Sequence, residues 1–137
     1  MEITHIEHIG IAVSNLSEAI KFYEKMMGLK CYSIEEVPDQ KVKTAFFMVG
    51  TTKIELLEST EPDGPIRNFI SKKGEGIHHI AFAVNKIENV LQELESKEVK
   101  LIDKTPRKGA EGLDIAFINP KSSYGVLIEV CEDKKLL

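Results

Sequence analysis

The sequence predicts an α+β fold of two repeated βαβββ modules whose strands build one curved mixed sheet. Three observations carry this prediction. The stretch "HIEHIGIAV" near the start returns seventy-one positions later as "GIHHIAFAV". Each copy is followed by a segment of helical spacing, and then by three stretches with strand-like composition. Internal duplication of this kind is a signature of repeated supersecondary units.

In the first module, residues 3–13 alternate with period two and read as a strand. Asn15 followed by Glu18 resembles a capping box and opens a helix. Leu16, Ala19, Ile20, Tyr23, Met26 and Met27 are expected on its buried face, and Gly28 is placed to end it. Three strands follow, "LKCYSIEEV", "VKTAFFMV" and "KIELLE", with "GTT" as the turn between the last two. In the second module "GIHHIAFAV" is a strand, and Ile87, Val90, Leu91 and Leu94 mark a helix. "VKLIDK", "LDIAFIN" and "GVLIEVCE" supply three more strands. The joining segment "PDGPIRNFISKKGEG" carries a short helix from Pro65, a residue suited to a first helical turn. The expected organisation is a single domain, 1–137, with module 1 at 1–60, a linker at 61–75 and module 2 at 76–132.

Composition narrows the class. A chain of 137 residues is long enough for a buried core, and its formal charge of −4 argues against a general nucleic-acid binder. No apolar run approaches membrane-span length, and the start "MEITHIEH" lacks the regions of a signal peptide. Cys31 and Cys131 have neither framework nor metal spacing and read as reduced thiols, so a cytoplasmic location without membrane association is expected.

Duplication also sharpens four polar residues. His8 corresponds to His79, and Ile54-Glu55-Leu56 corresponds to Ile128-Glu129-Val130. Strand alternation puts Ile9, Ile11 and Val13 on a packing face, with His8, Gly10 and Ala12 opposite. His79, Ala81 and Ala83 oppose Ile80, Phe82 and Val84 in the same way, and Glu55 and Glu129 each point away from their apolar neighbours. One histidine or one glutamate on a strand is ordinarily a solvated or structural residue. Two of each at repeat-related places, on the side away from the packing faces, point to a metal site at His8, Glu55, His79 and Glu129. The predicted sheet therefore curls around that site. Two imidazoles and two carboxylates suit one divalent ion such as Co²⁺, Ni²⁺, Mn²⁺ or Zn²⁺. His5 and His78 have no such counterpart and read as structural or surface residues.

With its "HIGIAV", "IELLE", "HHIAFAV" and "VLIEV" segments, the chain resembles the vicinal oxygen chelate superfamily. Within it, "ELLESTEPDGPIRNFISKKGEGIHHIAFAV" and "PRKGAEGLDIAFINPKSSYGVLIEV" resemble the methylmalonyl-CoA epimerases. The resemblance implies an isomerase that interconverts (R)- and (S)-methylmalonyl-CoA by α-proton transfer through a metal-bound enolate. It also implies an acyl-CoA substrate chelated through its thioester carbonyl and carboxylate, and a homodimer. One departure stands out: Thr44 lies near a position where a family member carries a catalytic glutamate, and threonine cannot act as a base. Glu129 and Glu55 are therefore the expected bases, with Glu35 and Glu36 next in line. Arg107, Lys108, Lys121, Ser122, Lys72 and Lys73 are candidates for CoA phosphates. Glyoxalase I, a lactoylglutathione lyase acting on the methylglyoxal–glutathione hemithioacetal, shares the ligand order and is the alternative. A non-catalytic small-molecule-binding protein of the same fold is the second alternative. An extradiol dioxygenase fits less well, since it uses three ligands on Fe(II).

Overall fold

The computed structural model describes residues 1–136. The strands are β1 (Ile3–Ala12), β2 (Cys31–Val37), β3 (Val42–Val49), β4 (Thr52–Ser59), β5 (Gly76–Val84), β6 (Arg107–Lys108), β7 (Asp114–Ile118) and β8 (Ile128–Glu132). The helices are α1 (Leu16–Lys21), α2 (Pro65–Lys73) and α3 (Ile87–Ser96). The chain forms two compact units, one of residues His8–His78 and the other of Met1–Glu7 with residues 79–136.

In the first unit the strands run in the order β2-β3-β4-β1, antiparallel except for the parallel β4–β1 pair. In the second the order is β6-β7-β8-β5, again antiparallel except for the parallel β8–β5 pair. The two plans are the same, so the expected mixed α+β architecture of paired βαβββ modules holds.

Local chemistry explains the helices. Asn15 Oδ1 accepts a hydrogen bond from the Glu18 amide at 3.0 Å, satisfying one of the free amides at the start of α1. Leu16, Ala19 and Ile20 then pack with Val13, Ala45, Phe47 and Leu56. Gly50, with φ +62°, begins the two-residue loop between Val49 and Thr52, as a tight hairpin requires. Pro65 opens α2 and Gly74 closes it. Ile87, Val90, Leu91 and Leu94 of α3 pack on Val84, Ala116, Ile118 and Val130.

Three expectations need correction. The α1 helix widens into a π turn at Phe22–Met26, which rotates the residues beyond it, so Met26 and Met27 are 74% and 60% exposed rather than buried. "VKLIDK" forms no strand: only Leu101 bridges to Ile118, and the Asp103 carboxylate accepts the Phe117 amide, a donor that would otherwise extend a ladder. The third difference concerns the histidine side of the first strand. Ala12 packs there with Val42, Leu57 and Ile66, so α2 turns the far end of that face into core.

Asp114, at the start of β7, lies 2.6 Å from Lys108 Nζ and 3.1 Å from Lys134 Nζ, and Lys134 also pairs with Glu88. The Lys108 hydrogen bond holds the Asp114 carboxyl below the usual carboxylate range; burial opposes this, and Lys134 reinforces it. A depressed carboxylate stabilises the fold above its unfolded value of about 3.9, and that contribution is lost as pH falls through the folded value. Asp114→Asn should therefore lower the urea midpoint at pH 6. Its difference from wild type should shrink as pH drops below about 4. A difference that stays constant with pH would mean the ion pairs contribute nothing.

Candidate metal centre

Register builds each half of the site. In the first unit Glu55 of β4 lies opposite Gly10 of β1 on one side and Phe46 of β3 on the other. His8 sits two residues before Gly10 and so shares its face. With no side chain at Gly10, the two meet: His8 Nδ1 is 3.1 Å from Glu55 Oε2. In the second unit Glu129 of β8 lies between Ala81 of β5 and Phe117 of β7. His79 Nε2 is 3.4 Å from Glu129 Oε1, and its ring meets Phe117 edge-on at 5.6 Å.

All four side chains are buried, with exposures of 4% for His8, 4% for Glu55, 5% for His79 and 3% for Glu129. Solvation therefore does not account for them. Burial of acidic and imidazole groups is costly unless they are partnered. Each unit thus holds one imidazole–carboxylate pair. Ligand atoms about 2.1 Å from one ion and at right angles to each other are about 3 Å apart, close to both observed separations. Neutral imidazoles and carboxylates are also a donor set that a borderline divalent ion accepts. Each pair fits such an ion.

The other sequence candidates are spread over several elements of the two units. Thr44 is buried on the Glu55 face of the first unit, opposite Leu57 on β4 and Glu35 on β2. Glu35 is half-buried and shares that face; Glu36 is on the other face, where it lines an open pocket of about 650 Å³ with Lys41, Glu61 and Asp63. Arg107 lies over the Phe117 ring, 5.6 Å from its centroid, and 3.3 Å from Asp103. Lys108 is engaged by Asp114, Lys73 lies over Phe69, and Ser122 Oγ accepts the Lys100 amide. Lys72 and Lys121 belong to α2 and to the short helical turn Pro120–Ser122. His5 is exposed, its Nδ1 3.0 Å from Thr4 Oγ1. His78 meets Phe69 edge-on at 5.0 Å, and burial, with Lys73 adding to it, lowers its pKa to about 4. Cys31 and Cys131 are thiols rather than a disulfide, and their Sγ atoms donate to the Ser33 and Phe82 carbonyls.

The sequence reading missed the two phenylalanines. Phe46 and Phe117 flank the two glutamates at repeat-related positions, inside "TAFF" and "DIAF". The repeated Ala-Phe was the available signal. It became meaningful only once register placed it beside Glu55 and Glu129.

Comparison with known proteins agrees with this architecture. Residues 7–117 match the family model described as the glyoxalase/bleomycin resistance protein/dioxygenase superfamily. The chain is 48% identical over 129 residues to the uncharacterized protein YqjC of Bacillus subtilis (strain 168), covering 94% of this chain and 92% of that one. It is 37% identical to the mitochondrial methylmalonyl-CoA epimerase of Dictyostelium discoideum, over 93% of this chain and 77% of the relative. A solved structure of Streptomyces coelicolor methylmalonyl-CoA epimerase in complex with 2-nitronate-propionyl-CoA superposes with a TM-score of 0.93. That likeness is at 32% identity and covers 97% of this chain and 96% of that one. No helix among the described residues is long and apolar enough to cross a membrane. With the repeat, the sheet order and the family model in agreement, the chain belongs to the glyoxalase/bleomycin resistance protein/dioxygenase superfamily, and methylmalonyl-CoA epimerases are among its relatives.

Proposed function

We propose that this protein is a divalent-metal-dependent methylmalonyl-CoA epimerase, with His8, Glu55, His79 and Glu129 as ligands to one ion. The observation that carries the reading is the repeat of one buried imidazole–carboxylate pair, in the same register, in both units. Relatives and a structural neighbour that are methylmalonyl-CoA epimerases supply the substrate class. A homodimer in the cytoplasm completes the reading.

A divalent ion held there would offset the negative charge that grows on the thioester oxygen as the α-proton leaves. The protein's own groups do the rest. The reading assigns Glu129 to one face of the α-carbon and Glu55 to the other. One carboxylate takes the α-proton, and the other, as the carboxylic acid, returns a proton to the opposite face, so no net proton is gained or lost. His8 and His79 would hold that ion as neutral imidazoles, through their nitrogen lone pairs. Phe46 and Phe117, which flank the two carboxylates, keep bulk water from their sides. Arg107, over the ring of Phe117, is the candidate for a substrate anion.

The decisive experiment joins metal analysis of the purified protein to two assays. The expected result is about one divalent ion per chain, and inversion of methylmalonyl-CoA with solvent hydrogen appearing at the α-carbon. Turnover of the methylglyoxal–glutathione hemithioacetal without epimerisation would replace this reading with glyoxalase I. Neither ion nor turnover would leave a non-catalytic binding protein.

A further inference from the structure

We infer that Glu58 and Glu132 are positioning residues that fix where the two site glutamates project. This rests on the functional reading above. Each last strand carries a second glutamate three residues after the first, in "ELLE" and "EVCE". Odd spacing on a strand puts the two on opposite faces. Glu55 and Glu129 face the metal side, so Glu58 and Glu132 face the helix side of the sheet. There they perform one task twice. Glu58 Oε1 accepts the Leu16 amide at 2.7 Å, at the start of α1. Glu132 Oε2 accepts the Lys86 amide at 2.8 Å and its Oε1 accepts the Ile87 amide at 3.0 Å, at the start of α3. Leu16 and Ile87 are themselves repeat-related, each eight residues after its module's site histidine.

A carboxylate that accepts free amides at a helix start is bound strongly, because charge and orphan donors meet there. The bond links the strand that carries the site glutamate to the helix that follows the strand carrying the site histidine. Both members of each imidazole–carboxylate pair are thereby indexed to one helix end. The two latches are unequal. Asn15 also caps α1 with its own side chain, whereas Lys86 has left-handed backbone at φ +54° and no side-chain cap of its own. Glu132 is buried and uses both oxygens, while Glu58 is half-buried and uses one.

The chemistry sets distinct expectations for four variants. Glu58→Gln keeps an oxygen for the Leu16 amide and should behave as wild type. Glu132→Gln turns an NH₂ group toward a donor and should be intermediate. Glu132→Ala should lower Co²⁺ affinity, or kcat on methylmalonyl-CoA, by roughly 10–100-fold with a smaller change in KM, and Glu58→Ala by less. The same ordering should appear in the metal-free protein, as shifts of the His79 ring resonances for the Glu132 variants and of the His8 ring resonances for Glu58→Ala. Variants that melt earlier, yet keep wild-type ring resonances, Co²⁺ affinity and kcat, would overturn the proposal and leave two ordinary helix caps. If wild type neither binds Co²⁺ nor epimerises, the functional reading fails instead. The ring resonances of the metal-free variants then still decide the latch. Should Glu132→Ala not fold, the contrast of Glu132→Gln with Glu58→Gln carries the test.

Discussion

Glu129→Gln should cut turnover of methylmalonyl-CoA by roughly 10²–10⁴-fold while some bound ion remains, and Glu55→Gln should do the same. Glutamine keeps the shape and one ligating oxygen but cannot accept the α-proton. Each carboxylate is held by its surroundings, between Gly10 and Phe46 or between Ala81 and Phe117, so the amide should adopt the same position. In deuterated water each variant should exchange the α-proton of one epimer without inverting it, since one face keeps its base. Glu55→Gln that epimerises near the wild-type rate would make Glu55 a ligand only. Glu35 would then be the better candidate than Glu36, because it shares the face of Thr44 and Glu55 while Glu36 points the other way.

His79→Ala should lose ion and activity together. The loss in affinity should exceed the roughly 10–100-fold that removal of an outer-shell partner costs. It also leaves the buried Glu129 carboxylate without its ring neighbour, a defect worth about 1–3 kcal/mol in the metal-free fold. His78→Ala is the control. Its ring lies against Phe69, on the other side of the strand from His79, and burial keeps it neutral near pH 7. Metal content near wild type is expected for His78→Ala, measured on protein purified in parallel. Equal losses from both changes would move the site to the wrong side of β5.

Duplication is why the four candidate residues stand out in the sequence alone. Singly, His8 or Glu129 carries no more information than His5 or Glu36; paired across the repeat, they become a donor set. Strand-like composition, alternation and the 3.6-residue period were enough for β1, β2, β3, β4, β5, β7, β8 and α3, and Pro65 marked the start of α2. What was not legible depended on contacts distant in sequence. Phe46 and Phe117 matter because of which residue lies across the strand pair, and local pattern does not specify register. Glu58 and Glu132 carry no signal in the local pattern, because their role depends on the amides of Leu16, Lys86 and Ile87, which lie far away in sequence. The "VKLIDK" strand failed for a similar reason: its composition is strand-like, but the Asp103 side chain takes the Phe117 amide.

The π turn after α1 has a further consequence, for how a duplicated chain ages. Leu16 and Ile87 stand seventy-one positions apart, and so do Phe46 and Phe117, although the helical run between them differs in its winding. The irregularity is absorbed within a single turn and compensated before β3 begins. The second copy takes its own length change elsewhere: Glu55 and Glu129 stand seventy-four positions apart, because the chain from Phe117 to its partner Glu129 is three residues longer than that from Phe46 to Glu55. Insertions and deletions have thus settled in winding and hairpins, where they leave ladder pairing untouched. The two copies have diverged in outline, with 47 positions from His8 to Glu55 and 50 from His79 to Glu129, while the strand register that sets each histidine beside its glutamate is the same in both.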